Sequence, residues 1–89
     1  MDFEWDPEKA RRNVQAHGVS FLEAAEVFAD ELSSTVADPD HSEGERRYLI
    51  FGQTQSGRPL VVVFVERRGR IRLISAREMT KRESRAYEH

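Results

Sequence analysis

The 89-residue sequence contains no cysteine, only three prolines and no long apolar segment. Without cysteine the chain has neither disulfides nor zinc–thiolate sites. Its longest apolar run, residues 60–65, is far too short for a membrane-spanning helix. The first residues, Met-Asp-Phe-Glu-Trp-Asp, lack the basic and apolar regions of a signal peptide. We therefore expect one soluble, cytoplasmic domain over residues 1–89 with no membrane association.

The charged residues that are present divide unequally between the two halves of the chain. Residues 1–45 contain twelve acidic and three basic residues, a net charge of −9. Residues 46–89 contain four acidic and eleven basic residues, a net charge of +7. This split favours two differently charged surfaces, one suited to a polyanion and one to a basic partner. Alternatively, the two halves neutralise each other across the fold.

Three segments carry the signals that start and end helices. The Asp-Pro-Glu sequence at residues 6–8 supplies an N-cap, a proline at the first helical position and an acid in the first turn. Gly18 fits the left-handed position that ends a helix. Capping boxes begin at Ser20 and at Thr80. We expect helices over residues 7–17, from 21 to about 30, and from 81 onward.

Apolar and alternating segments predict five strands, at residues 3–5, 33–37, 46–54, 60–65 and 71–77. The continuously apolar run at 60–65 is typical of a strand that is covered on both faces, so it is the expected centre of the sheet. Gly69 turns this strand into the next one. The order β-α-α-β-β-β-β-α predicts a two-layer α+β domain whose helices are segregated from a mainly antiparallel sheet.

Strict alternation along the fifth strand predicts which of its side chains share a face. Ile71, Leu73 and Ser75 fall on one face, and Arg72 and Ile74 fall on the other. The arginines in and beside this strand would then stand on a rigid sheet, as a polyanion-binding site requires.

The first helix has a stripe of Ala10, Asn13, Val14 and His17 at positions i, i+3, i+4 and i+7. We interpret His17 on this stripe as a structural histidine that packs against the core. Trp5, just before the helix, is expected to anchor it in the core.

Four separate blocks of the sequence resemble the BrnT family of type II toxins. They are Phe3-Glu-Trp-Asp6 with Lys9 and Asn13, His17-Gly-Val-Ser-Phe21 with Ala24, Ala25 and Phe28, Asp38-Pro-Asp40 with His41 and Glu45-Arg46, and Ile74-Ser-Ala-Arg77 with Arg82, Glu83 and Tyr87. The resemblance implies a RelE-like ribonuclease fold and RNA cleavage that arrests translation and growth. It also implies a cognate BrnA antitoxin that binds promoter DNA, so the toxin would reach DNA only through that complex.

Metal-independent RNA cleavage requires activation of a 2′-hydroxyl, cations on the phosphate oxygens and a donor for the departing 5′-oxygen. The planar arginine fork suits a pentacoordinate phosphate. The resemblance and the strand positions together select Arg72 and Arg77 as phosphate clamps, with Arg46 as a third. Tyr87 is a candidate donor to the leaving oxygen or a stacking platform for a base, with half-buried packing as the alternative. No cofactor is expected.

Other basic residues are candidates for attracting RNA without taking part in the chemistry. They are Lys9, Arg67, Arg68, Arg70 and Lys81. For each of them an ordinary solvated charge is the alternative.

The polar loop at residues 38–45 offers one more candidate base, His41, beside acidic residues. A solvent-exposed loop histidine is the alternative. The loop acids lack the glycine at position six and the bidentate acid at position twelve of an EF-hand loop, so no metal site is predicted.

The resemblance to BrnT thus implies a metal-independent endoribonuclease toxin. The alternative is a catalytically silent RNA-binding or protein-interaction module that uses the same basic sheet, because both kinds of protein place lysine and arginine on one surface.

Overall fold

The computed structural model describes residues 1–38 and 44–88. In the described chain the elements follow in the order β1 (Phe3–Glu4), α1 (Pro7–His17), α2 (Phe21–Glu26), a 3₁₀ turn (Val27–Ala29), β2 (Ser34–Ala37), β3 (Arg47–Gln53), β4 (Pro59–Arg67), β5 (Arg70–Glu78) and α3 (Lys81–Tyr87). The predicted α+β class is confirmed.

The five strands form one sheet in the order β1-β5-β4-β3-β2. The central strand is β4, as its continuous apolar run predicts. Neighbouring strands pair antiparallel from β2 to β5, whereas β1 pairs with β5 in parallel. The parallel pair places the first strand of the chain beside the last, and the sheet is therefore mixed.

Both N-terminal helical segments pack on one face of this sheet and enclose the core. Val19, Phe21, Ala24 and Val27 from the helical layer are buried against sheet residues Ile50, Leu60, Val62, Phe64, Leu73 and Ala76. Trp5 packs against this cluster, with its ring edge-on to Phe21 at 6.0 Å between centroids. The opposite sheet face, called here the open face, carries the alternate residues of each strand.

The ends of α1 are set by the residues that the sequence singles out. The Asp6 carboxylate accepts the backbone N–H of Glu8 at 2.9 Å. Gly18 follows the helix with φ of 68° and donates its N–H to the Val14 carbonyl at 2.8 Å. A residue with a side chain is strained at this φ, so glycine ends the helix.

The start of α2 is only half of a capping box. The Ser20 hydroxyl accepts the backbone N–H of Glu23, but the Glu23 carboxylate accepts a hydrogen bond from Arg58 at 2.8 Å. Arg58 also donates to the Gly18 carbonyl and to Glu78. This arginine therefore ties the helical layer to the ends of the neighbouring strands β4 and β5. By contrast, both bonds of the box at Thr80 form.

The predicted face assignment of β5 is wrong because the strand contains a β-bulge. Val63 pairs with Ser75 and the next residue, Phe64, pairs with Leu73, so Ile74 is an extra residue without an opposite partner. An inserted residue shifts the alternation by one position. Ser75 therefore shares the open face with Arg72, while Leu73 is buried in the core.

The prediction that His17 packs as a structural histidine is also wrong. His17 is exposed in the last turn of α1, and 49% of Val14 is exposed too. Val19, which follows the helix, is fully buried and occupies the core at this end. The helix therefore buries only a narrow line that contains Ala10 and Asn13. An exposed histidine still suits the negative end of the helix dipole.

Asn13 is the polar residue that joins α1 to the sheet. Its amide nitrogen donates to the Ala76 carbonyl at 2.8 Å and to the Val19 carbonyl at 2.9 Å. Its amide oxygen accepts the Ala76 backbone N–H at 3.0 Å. The side chain thus bonds both backbone groups of one β5 residue, as a neighbouring strand would.

No helix within residues 1–38 and 44–88 is long and apolar enough to cross a membrane.

We expect Asn13→Ala to lower the free energy of unfolding by about 2–4 kcal/mol. The substitution leaves the buried N–H and C=O of Ala76 and the Val19 carbonyl without their partner. Urea denaturation measures the change. Val14→Ala, one position along the helix and half exposed, is the matched control and should change stability little. A loss no larger in Asn13→Ala than in this control would contradict the assignment.

Candidate nucleic-acid interface

The open face concentrates the arginines of the C-terminal half of the chain. Strand register places five of them there: Arg47 on β3, Arg67 on β4, and Arg70, Arg72 and Arg77 on β5. The bulge at Ile74 is responsible, because strict alternation would have placed Arg72 and Arg77 on opposite faces.

Arg72 and Arg77 occupy two separate positions on this face. Arg72 lies opposite Val65 on β4, and Arg77 lies opposite Val61. Four residues of extended strand separate these partners by about 13 Å. The two arginines therefore define two neighbouring subsites.

The Arg72 subsite includes a carboxylate from the first strand. Glu4 stands beside Arg72 in the β1–β5 register. Arg72 Nη1 donates to Glu4 Oε2 at 2.8 Å, and Arg70 Nη1 lies 3.9 Å from Glu4 Oε1. The Arg72 and Glu4 side chains are 28% and 26% exposed, so a ligand can reach both.

A second pair lies next to this subsite. Arg67 donates from Nε to Glu45 at 2.7 Å and also from Nη2, so both carboxylate oxygens are engaged. These hydrogen bonds lower the pKa of the Glu45 carboxyl and keep it ionised. Arg67, Arg68, Arg70 and Glu4 together line one surface pocket. Three predicted RNA-binding arginines are thus brought together beside Arg72.

The Arg77 subsite is closed by α3. Arg77 Nη1 and Nη2 donate to the two carboxylate oxygens of Glu83 at 2.7 and 2.9 Å, and Nη1 also donates to the Glu78 carbonyl. Hydrogen bonding to Arg77 lowers the pKa of Glu83 to about 2. A phosphate must displace Glu83 before it can bind these two nitrogens.

Tyr87 lies at the other end of α3, one helical turn from Glu83. Its hydroxyl donates to Asp30, and burial together with Asp30 raises the pKa of Tyr87 to about 12. A phenol with so high a pKa is a poor proton donor near neutral pH. Ser34, Val36 and Phe51 line an apolar pocket with Glu83, Ala86 and Tyr87. The geometry brings Tyr87 to the β2–β3 side of the sheet.

The remaining predicted basic residues are dispersed. Arg46 is exposed just before β3, and its neighbour Arg47 takes the position on the open face. Lys9 is exposed on α1, in the helical layer, where it lines a pocket with Arg12 and Ile74. Lys81 is exposed in the first turn of α3.

Three site residues escaped the sequence reasoning: Glu4, Glu45 as a partner of arginine, and Arg47. Glu4 lies in the two-residue strand β1, and no local sequence pattern predicts that this strand pairs in parallel with β5. Glu45 stands in a polar loop and in one of the blocks that resemble BrnT, but nothing in the sequence indicates that it pairs with Arg67. Arg47 differs from Arg46 only in which face the register gives it.

Ion pairs across the two halves account for part of the charge split. Glu4, Glu23 and Glu45 from the acidic half pair with Arg72, Arg58 and Arg67 from the basic half. Neutralisation across the fold, the alternative reading of the sequence, is therefore confirmed for these pairs.

Two predictions fall on residues outside the described ranges. His41 and most of the acidic loop with Asp40 and Glu43 belong to residues 39–43. Within the described ranges, no three His, Asp or Glu side chains are grouped so that they could hold a metal ion.

These observations define the class of the protein: a small α+β domain with a five-stranded mixed sheet and an arginine-rich open face. A family model described as the ribonuclease toxin BrnT of type II toxin–antitoxin systems matches residues 5–83. The chain belongs to this family. No curated protein sequence matches it.

A solved structure supports the fold. The crystal structure of the Brucella abortus ribonuclease toxin BrnT superposes with a TM-score of 0.67 at 20% sequence identity. The match covers 91% of this chain and 99% of the Brucella chain. At this identity the similarity concerns the fold alone.

The Arg77–Glu83 pair should make stability depend on acid. Because the folded pKa of Glu83 is about 2, below its ordinary value of 4.5, the pair stabilises the fold above about pH 4.5 and ceases to do so as the pH falls toward 2. A shift of that size corresponds to about 3 kcal/mol. Since 43% of the Arg77 side chain is exposed to screening, we expect about 1 kcal/mol.

Denaturation of the wild type and of Glu83→Gln between about pH 6 and about pH 2 measures this contribution. The difference in stability should vanish at the acid end. Glu88→Gln, which removes an exposed charge just after α3, is the matched control. A difference that persists unchanged at low pH would show that the ion pair is not its source.

Proposed function

We propose that this chain is a metal-independent endoribonuclease that cleaves RNA on the open face of its sheet and thereby arrests translation and growth. One observation carries the proposal: Arg72, Arg70 and Arg67 converge on rigid strands of a chain that belongs to a ribonuclease toxin family. Within this proposal the fold is RelE-like and the chain acts in the cytoplasm.

Arginine supports this chemistry by stabilising charge. Negative charge grows on the non-bridging phosphate oxygens as the 2′-oxygen attacks, and fixed guanidinium groups lower the barrier without rearranging. Arg72 uses one of its N–H groups on Glu4 and retains others for a phosphate. Arg77 is the second clamp, which RNA reaches by displacing Glu83. The roles of Arg46, Tyr87, Lys9, Arg68 and Lys81 stay predictions.

A cognate BrnA-type antitoxin would neutralise the toxin, and promoter DNA would be bound only by the complex. Membership in a type II toxin family supports a protein antitoxin. To neutralise the toxin, such an antitoxin must cover the exposed arginines, because the long-range attraction of RNA depends on them.

Cleavage of a structured RNA by the purified chain, with EDTA present, tests this function. We expect Arg72→Ala to lower the cleavage rate at least about 100-fold, because one fixed donor to the charged phosphate is lost. Arg11→Ala is the matched control: it removes the same charge from an exposed position on α1, where the side chain pairs with Glu8.

The same assay is repeated on translating ribosomes. Equal loss of activity in both variants would contradict a site at Arg72. RNA binding without cleavage in either assay would overturn the enzyme and leave the silent RNA-binding module.

A further inference from the structure

We propose that Glu4 is the general base that removes the proton from the attacking 2′-hydroxyl. This inference rests on the proposed ribonuclease function and assigns a residue that the family match, which begins at residue 5, does not include. Its motivation is the contact of Glu4 with two arginines on the open face.

Three carboxylates contact arginines of the open face in the described part of the chain, and they differ in what remains available. Glu83 and Glu45 each use both oxygens on one arginine. Glu4 accepts one hydrogen bond on Oε2, whereas Oε1 is 3.9 Å from Arg70, beyond hydrogen-bond distance. A base needs an oxygen that can accept the proton of the substrate. Glu4 Oε1 meets this requirement.

The position of Glu4 beside a phosphate bound to Arg72 also favours it as the base. Arg72 donates only Nη1 to Glu4, so Nε and Nη2 can hold a phosphate in the bidentate geometry that arginine favours. A phosphate held there lies next to Glu4, because the two side chains stand side by side on paired strands. The 2′-hydroxyl adjacent to that phosphate is then within reach of Glu4 Oε1.

Several charged side chains surround Glu4. They are Arg70 and Arg72 on β5, Arg67 and Arg68 at the end of β4, and Glu45, which is itself paired with Arg67. The cations outnumber the acids, so these surroundings attract the phosphates of RNA.

The other candidate bases do not meet these conditions. Tyr87 is bonded to Asp30 at the far side of the sheet, and His17 is on α1 in the opposite layer. His41 lies outside the described residues and therefore enters the experiment as a competitor.

The 2′-hydroxyl gives its proton to Glu4 while the 2′-oxygen forms a bond to phosphorus. The bond between phosphorus and the 5′-oxygen breaks, its electron pair leaves on that oxygen, and the oxygen takes a proton from water. The products are a 2′,3′-cyclic phosphate and a 5′-hydroxyl, and Glu4 returns its proton to the solvent.

The test compares wild type with Glu4→Gln, which keeps the size of the side chain and an oxygen for Arg72 but cannot act as a base. We expect kcat to fall by about 10²–10⁴-fold with KM nearly unchanged. The acidic limb of the pH–rate profile should disappear with it. Urea denaturation of Glu4→Gln verifies that the variant is folded.

Two comparison variants remove the other candidate groups: Glu45→Gln removes the neighbouring carboxylate, and His41→Ala removes the competing base. Both should keep the acidic limb. In Glu4→Ala, added formate should restore part of the activity by supplying the missing carboxylate. RNA with a 2′-deoxy nucleotide at the cleaved position should resist wild type.

Several results would overturn the assignment. Glu4→Gln with near wild-type kcat, or with raised KM alone, makes Glu4 a residue that only positions Arg72. Loss of the acidic limb in His41→Ala instead transfers the role of base to that histidine. In these cases the ribonuclease itself stands. If wild type cuts neither free RNA nor RNA on ribosomes, the proposed function fails and the base fails with it.

Discussion

The single extra residue at Ile74 is the constraint on which the open face depends. Leu73 and Ala76 are three positions apart, yet the extra residue lets both point into the core. It also turns Arg72 and Arg77 to the same side. In a regular strand Leu73 and Ala76 would lie on opposite faces of the sheet, and so would Arg72 and Arg77. Because of the bulge, β5 presents its arginines together on the open face, where they can bind a polyanion.

The bulged strand β5 needs support, and the helical layer provides it. Asn13 bonds both backbone groups of Ala76, two residues beyond the bulge, and Arg58 joins Gly18, Glu23 and Glu78. These contacts fix the backbone that carries the arginines. Groups that are held rigidly need no reorganisation when charge develops on a substrate, which is how such a site stabilises a transition state.

The open face carries several ion pairs, which differ in whether one or both carboxylate oxygens accept hydrogen bonds from an arginine. Both oxygens of Glu45 and of Glu83 are taken by an arginine, so these pairs hold Glu45 against β4 and α3 against β5. The pair of Glu4 with Arg72 uses one bond and leaves capacity on both partners. An acid and a cation with open capacity, side by side, are what proton removal next to a phosphate requires.

The sequence by itself determined the local structure. The ends of α1 are set by Asp6 and Gly18, and the start of α3 is set by the capping box at Thr80. These signals are readable in the sequence because capping depends on neighbours within a few residues. The apolar run at 60–65 likewise predicted the central strand. The blocks that resemble BrnT predicted the family that the match over residues 5–83 established.

Only the tertiary structure decided which side chains meet. The bulge at Ile74 follows from the pairing of β4 with β5, and Glu4 reaches Arg72 through a parallel pairing across 68 positions of the chain. Local propensities carry no information about such contacts, since their geometry depends on how distant segments bury a shared core. The arginines could be listed from the sequence, whereas their common face and their carboxylate partners could not.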